Sequence, residues 1–293
     1  MPGTLHFETP TALEYFTSLV AEDASFSVLE AAVSIAQDEY PGLDTQAVLS
    51  DIDALADRLK RRIPADLAAL QKVRLLNQYF FQELGFGGNV NNYYDPCNSY
   101  VHEVLLRRRG IPITLATIYV ELALQIGLNA NGVSFPGHFL VKVSLAQGAQ
   151  IGDVVIDPFT GQSLSGDDLE DRLTPYRRSQ ALMGESNAPL SFFLQPAPAR
   201  ETLARMLRNL KEIHRTSEDW SRLLPVLDRL VVLLPHAIEE RRDRALACME
   251  FDRPTQAIAD LEAYLKHRPD ADDRFFLVEQ LAHLRRDLPP RLY

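Results

Sequence analysis

The sequence predicts an α+β protein: a helical N-terminal segment, a central core with a small antiparallel sheet, and a helical C-terminal region. Three observations carry this. Apolar residues recur at helical spacing through residues 11–84, short β-like runs lie between residues 132 and 156, and the last hundred residues repeat with a period of 34. Helices followed by consecutive strands favour an antiparallel sheet with helices on one side. The 293 residues are 46% hydrophobic and 24% charged, a globular composition with room for about two domains.

Taken in order, Ser25 and Ser27 offer caps to a segment with Val28, Leu29, Ala32, Ile35 and Ala36 on one face, ended at Tyr40-Pro41-Gly42. Asp44 opens a second helix carrying Val48, Ile52, Leu55, Ala56 and Leu59. A third follows Pro64, with Leu67, Leu70, Val73 and Leu76, and stops at the glycines of 85–88. Residues 85–98 read as loop, and the glycines there as a turn, since no Gly-Lys-Ser/Thr follows to make a phosphate loop. Helical patterns return at 99–108 and 113–126, separated by Arg109-Gly110-Ile111-Pro112. The strands are expected at Gly132–Phe135, His138–Val143 and Val154–Ile156. Asp167-Asp168 after Ser165-Gly166 read as a helix start. Arg107-Arg108-Arg109 read as a helix C-terminus, with a phosphate site as the lesser alternative.

At the C-terminal end Pro235 and Pro269 lie 34 residues apart, and the same offset matches Leu227 with Leu261, Leu224 with Ile258, Val231 with Leu265, Leu223 with Ala257 and Ile213 with Ala247. Small residues at the helix crossing and a closing proline are the tetratricopeptide signature. Two copies are fewer than the usual three, so the array is expected to lean on the central domain. With Gln195-Pro196-Ala197-Pro198-Ala199 as linker, the expected organisation is a helical segment over 1–84 packed on the core, a core over 85–194 and repeats over 195–293.

Forty acidic against thirty basic side chains give a net charge of −10. This excludes nucleic acid and anionic membranes as default partners, which demand a basic footprint. The first sixty residues hold eleven acids and two bases, whereas the remainder holds 29 acids and 28 bases. Two cysteines cannot build a disulfide framework, the N-terminus lacks the pattern of a signal peptide, and no stretch reaches the ~18–20 apolar residues of a membrane span. A cytoplasmic protein without membrane attachment is expected.

The central motifs are Asn98-Ser99-Tyr100, Arg107 to Leu115, Phe135-Pro136-Gly137-His138-Phe139-Leu140-Val141 and Ile156-Asp157-Pro158-Phe159. Together they resemble the SirB-type family of bacterial proteins, a transglutaminase-like (papain-like) domain followed by tetratricopeptide-like helices, over essentially the whole chain. The resemblance implies a cysteine at a helix N-terminus, where the dipole favours thiolate, a histidine on a nearby strand, and an aspartate that orients the imidazole. His138 and Asp157 match their motif positions, with His138 opening the second strand and Asp157 closing the third.

The nucleophile departs from that pattern. At the start of the helix near Pro112–Thr114 stand Thr114 and Thr117 instead of a cysteine, and a mid-chain threonine lacks the activating N-terminal amine. Cys97 lies one helix too early, although Asp95-Pro96 before it offers a helix start; Cys248 reads as core. His138, Asp157, Thr114 and Cys97 are therefore the candidate catalytic residues. No metal-ligand spacing and no cofactor motif is present.

The resulting expectation is a non-catalytic transglutaminase-like module that binds a protein or peptide, in a regulatory role. The alternative is an amide-bond hydrolase or acyl-transferase using the His–Asp pair with Thr114, Cys97 or water as nucleophile. Neither reading involves a metal or cofactor, and the motifs leave the oligomeric state open.

Overall fold

The computed structural model describes residues 10–22, 26–147, 150–182 and 188–287. Its contacts divide into two units: the described parts of Met1–Phe26, Gln37–Pro41 and Leu207–Tyr293 in one, and Ser27–Ala36 with Gly42–Met206 in the other.

The first helix, α1 (Ala12–Leu19), opens on a capping box between Thr11 and Glu14. Its Phe16 is fully buried, and the helix packs with the repeat unit. The core unit opens with α2 (Val28–Ser34), capped by Ser27 as expected; Ser25 lies outside the described residues. Asp44 caps α3 (Thr45–Lys60) through the amides of Gln46 and Ala47, and the apolar stripe Val48, Ile52, Leu55, Ala56, Leu59 is buried. Next come α4 (Ala69–Asn77), which continues as a π-helical turn over Gln78–Glu83, and α5 (Val101–Arg107).

At the centre stands α6 (Pro112–Gln125), with proline in its first turn. Nine of its residues, from Ile113 to Ala123, are buried. A helix apolar nearly all round belongs in the interior, and this one is packed from several sides by α2, α3, α4 and α5 and by the sheet.

Between Gly87–Gly88 (β1) and Arg109–Gly110 (β2) runs a short parallel pairing that the glycine pattern does not announce. A Cβ on Gly88 would fall 2.3 Å from the Phe159 ring, so glycine is required there by close approach. The main sheet holds β3 (Asn129–Val133), β4 (Leu140–Gln147), β5 (Gln150–Asp157) and β6 (Gln162–Leu164) in chain order, all antiparallel.

Three sequence expectations are corrected here. The first strand begins earlier than Gly132 and ends before Phe135. His138 does not open the second strand. The chain turns at Phe135–His138, where His138 N donates to Phe135 O and Gly137 takes φ 72°, so the ladder starts only at Leu140. Helices also cover both faces of the sheet, not one. Leu169 and Leu173 of α7 (Gly166–Leu182) pack with Val133, Phe135, Leu140 and Val155, while the alternating Val141, Val143 and Ile156 are buried on the opposite face and α6 packs on β3 and β4. A short α8 (Leu190–Phe193) follows.

From Ala199 the chain is helical again: α9 (Ala199–Thr216), α10 (Trp220–Leu233), α11 (Ile238–Glu250), α12 (Pro254–His267) and α13 (Arg274–Asp287). The bounds of α10 and α12 differ by the 34 residues of the repeat, and Leu223, Leu227, Ala257 and Leu261 are all buried at the matched positions. Buried acids inside this unit are multiply paired. Asp260, 1% exposed, accepts from Arg244 at 2.6 and 2.8 Å and from Arg241 at 3.2 Å, and Glu240 accepts from Lys211 and Arg208. Such pairing offsets the desolvation of each charge.

Two measurements check this packing. Gly88→Ala should cost about 1–3 kcal/mol by overpacking, read as a lowered denaturant midpoint, whereas Gly42→Ala, whose added Cβ meets nothing within 4 Å, should leave the midpoint unchanged. Asp260→Ala should cost about 1–3 kcal/mol because it removes the buried acceptor of Arg244 and Arg241 while Arg244 keeps Asp228, whereas loss of the exposed Arg285–Glu262 pair should change little.

Candidate functional site

Asp157 is the last residue of β5 and is 5% exposed. The following turn is closed by Gly161 N donating to Asp157 O at 2.8 Å. Its carboxylate is shared between two donors. The Phe159 amide donates to Oδ1 at 2.9 Å, and Nη1 of Arg172 donates to Oδ2 at 3.0 Å. Arg172 comes from α7, whose first turn is set by reciprocal bonds between Ser165 and Asp168, as the acid pair there leads one to expect.

His138 is half-buried in the turn before β4. Burial lowers its pKa below the ordinary histidine value; Arg172 and Arg205 push the same way and Asp157 opposes them. Among the described residues the imidazole makes no hydrogen bond to Asp157; the carboxylate that the resemblance assigns to it is held by Arg172 instead.

Arg205 enters from α9. Its Nη1 donates to Ser134 Oγ at 2.9 Å, and its guanidinium lies 5.5 Å from the centre of the Phe139 ring. Burial lowers its proton affinity and Tyr93 raises it. Tyr93 in turn packs 6.0 Å from Phe159, beside the exposed Tyr94. Two arginines therefore flank a neutral histidine against one carboxylate. Arg172 also lines an open cleft of about 430 Å³ with Gln162, Ser163, Leu164, Asp168 and Asp171.

The other candidates lie differently. Thr114 stands in the first turn of α6, where the resemblance expects the nucleophile, but it is 0% exposed and its hydroxyl has no hydrogen-bond partner among the described residues. Thr117 donates to the Ile113 carbonyl within the helix. Cys97 is half-buried in a 3₁₀ turn capped by Asp95, which accepts from the Cys97 amide at 3.0 Å, and it lies in the electrostatic surroundings of Arg107. The charges acting on His138 come from Arg172, Asp157 and Arg205. Cys248 is fully buried in α11, and burial pushes its thiol up to about 11. Neither cysteine forms a disulfide, and among the described residues no group of three or more His, Cys, Asp or Glu is placed to hold a metal.

Sequence reasoning named His138 and Asp157 and did not name Arg172, Arg205 or Tyr93, which the structure brings to the same region. No spacing signals them: Arg172 is 15 residues from Asp157, and Arg205 is 71 from Ser134. The geometry makes a titration prediction. His138 should titrate below about 6.5 by NMR, and Arg172→Met should raise that value by removing a cation. Because the unfolded chain then binds more protons in this window, the stability contributed by a neutral His138 is present above the unfolded value and lost as pH falls through the folded one; His138→Gln should flatten that slope.

The chain matches the transglutaminase-like superfamily over residues 46–208 and the tetratricopeptide repeat over residues 210–282. A UPF0162 protein of Xylella fastidiosa (strain Temecula1) is 36% identical over 249 residues, covering 85% of this chain and 86% of that protein. A second UPF0162 protein, from Pseudomonas aeruginosa, is 27% identical over 88% of this chain and 91% of its own length. The human F-box only protein 21 is 29% identical over 177 residues, which span 58% of this chain and 26% of that protein. No solved structure matches. Among the described residues no helix is long and apolar enough to cross a membrane. The buried frame around α6, the antiparallel sheet whose β5 ends at Asp157 and the 34-residue helix pairs thus meet in one conclusion: the chain belongs to the transglutaminase-like superfamily and, within it, to the UPF0162 proteins.

Proposed function

We propose that this protein is a non-catalytic transglutaminase-like binding module whose core takes an acidic peptide group at His138, Arg172 and Arg205. A transglutaminase-like domain joined to tetratricopeptide repeats fits a protein-interaction module, the repeats being a type that supplies binding surfaces. What carries the reading is the pairing of Asp157: its carboxylate oxygens accept from Arg172 and from the Phe159 amide, and among the described residues it makes no orienting bond to His138. The burial of Thr114 supports it, because a nucleophile must meet its substrate. The charges acting on His138 are two guanidinium groups against Asp157, which favours a carboxylate at the histidine, away from the Asp168 and Asp171 side of Arg172.

A second reading, hydrolysis or transfer at an amide bond, is favoured by one observation. The lowered proton affinity of His138 keeps it neutral near pH 7, the state a general base needs for water attack.

Fluorescence anisotropy with short Glu-rich and Lys-rich peptides separates the two. Saturable binding of the acidic peptides is expected, weakened about tenfold or more by Arg205→Ala and by Arg172→Ala, each loss being that of a charge-assisted hydrogen bond. Circular dichroism confirms that the variants fold. Equal binding of acidic and basic peptides, or amidase or amine-incorporation activity that disappears in His138→Ala, would overturn the non-catalytic reading.

A further inference from the structure

A second cluster of cationic side chains lies apart in sequence from His138, on α3 and α5. Arg58, Arg108, Asp51 and His102 line a cleft of about 320 Å³ whose apolar wall includes Leu55, Leu105 and the largely exposed Leu106. That volume sits at the lower end of small-molecule sites. Among the described residues neither arginine is ion-paired with a carboxylate, and Arg58 Nε donates to the Ala54 carbonyl at 3.2 Å. Burial lowers the pKa of His102, so it adds no charge at neutral pH, and the cleft holds two guanidinium groups against one carboxylate.

Arg108 is the unusual residue. Its guanidinium lies 4.6 Å from the centre of the Phe86 ring, and Nη1 is buried without a hydrogen-bond partner among the described residues. Its neighbours in the Arg107-Arg108-Arg109 run are both occupied: Arg107 pairs with Asp95 and Glu103, and Arg109 donates to the carbonyls of Gly85 and Arg108. Arg108 also ends α5 in the left-handed region, at φ 58° and ψ 20°. Glycine is the unstrained residue at such a C-cap. A side chain kept at a strained position, lining a cleft beside a second guanidinium that is likewise without a paired carboxylate among the described residues, points to an acceptor that comes from outside the chain.

We propose that this cleft binds a small organic oxyanion, a carboxylate or phosphate monoester on a short apolar body, with Arg108 and Arg58 holding the anion and Leu55, Leu105 and Leu106 covering the body. Arginine forks suit either oxyanion, so the two sources are separated by experiment. Protein labelled with ¹⁵N in its arginine side chains is titrated with hexanoate, hexyl phosphate, inorganic phosphate and hexylamine. Saturable shifts of the Arg58 and Arg108 Nε–H signals are expected with hexanoate or hexyl phosphate, whichever binds more tightly naming the source. Inorganic phosphate should bind about tenfold or more weakly, and hexylamine should leave both signals in place.

Arg108→Gly suits the left-handed position and should fold while losing the interaction. Arg58→Ala changes an exposed residue and should weaken binding about tenfold. Calorimetric titration of both variants with the tighter probe completes the test. Absence of saturable shifts with hexanoate and hexyl phosphate, inorganic phosphate binding as tightly as hexyl phosphate, or unchanged affinity in both variants would each overturn the proposal.

Discussion

The paired carboxylate of Asp157 is the constraint on which the central site rests. Burying a carboxylate to 5% exposure costs its hydration unless hydrogen-bond partners replace it, and here a guanidinium and a backbone amide do so. That choice of partners has consequences outward. The Phe159 amide is drawn in, which places the Phe159 ring against Gly88 and near Tyr93, and the Phe159 carbonyl accepts from the Gly88 amide at 2.9 Å. Arg172 is held between β5 and the cleft beside β6, and its charge acts on His138. One buried ion pair thus organises the turn after β5, the glycine edge and the electrostatics of the histidine.

The same pair bears on chemistry. In a triad the aspartate serves the imidazole, fixing its tautomer and stabilising its charged form. Given to an arginine, the same carboxylate stabilises the fold and leaves the histidine with a net cationic neighbourhood. Family membership describes the scaffold, whereas function belongs to the site built on it.

In the repeat unit charge is handled by dense pairing. Asp260 and Glu240 are buried acids that each gather two basic side chains, and Arg244 spans from Asp260 to Asp228. Arg229, 1% exposed, reaches Asp38, and burial pushes its pKa down to about 10. The acidic excess of the first sixty residues is therefore partly structural: Asp38 and Glu39 are partners of Arg229 and Arg222.

What could be read from the sequence alone was what is local along the chain. The helices after Ser27 and Asp44, the Ser165–Asp168 cap, the stop at Arg107–Arg109 and the 34-residue spacing of α10 and α12 follow from periodicity and capping, which act within a few residues. His138 and Asp157 were legible because they sit in distinctive motifs. The strand bounds were less so, since Gly137 turns the chain before Leu140, and the covering of both sheet faces depended on α7 folding back. The partners of the site were decided only in three dimensions. Arg172, Arg205 and Tyr93 converge from separate stretches of the chain, and the cleft of Arg58 and Arg108 joins α3 to the end of α5. Desolvation and ion pairing depend on which groups share a small volume, a property that tertiary packing sets and that residue spacing does not encode.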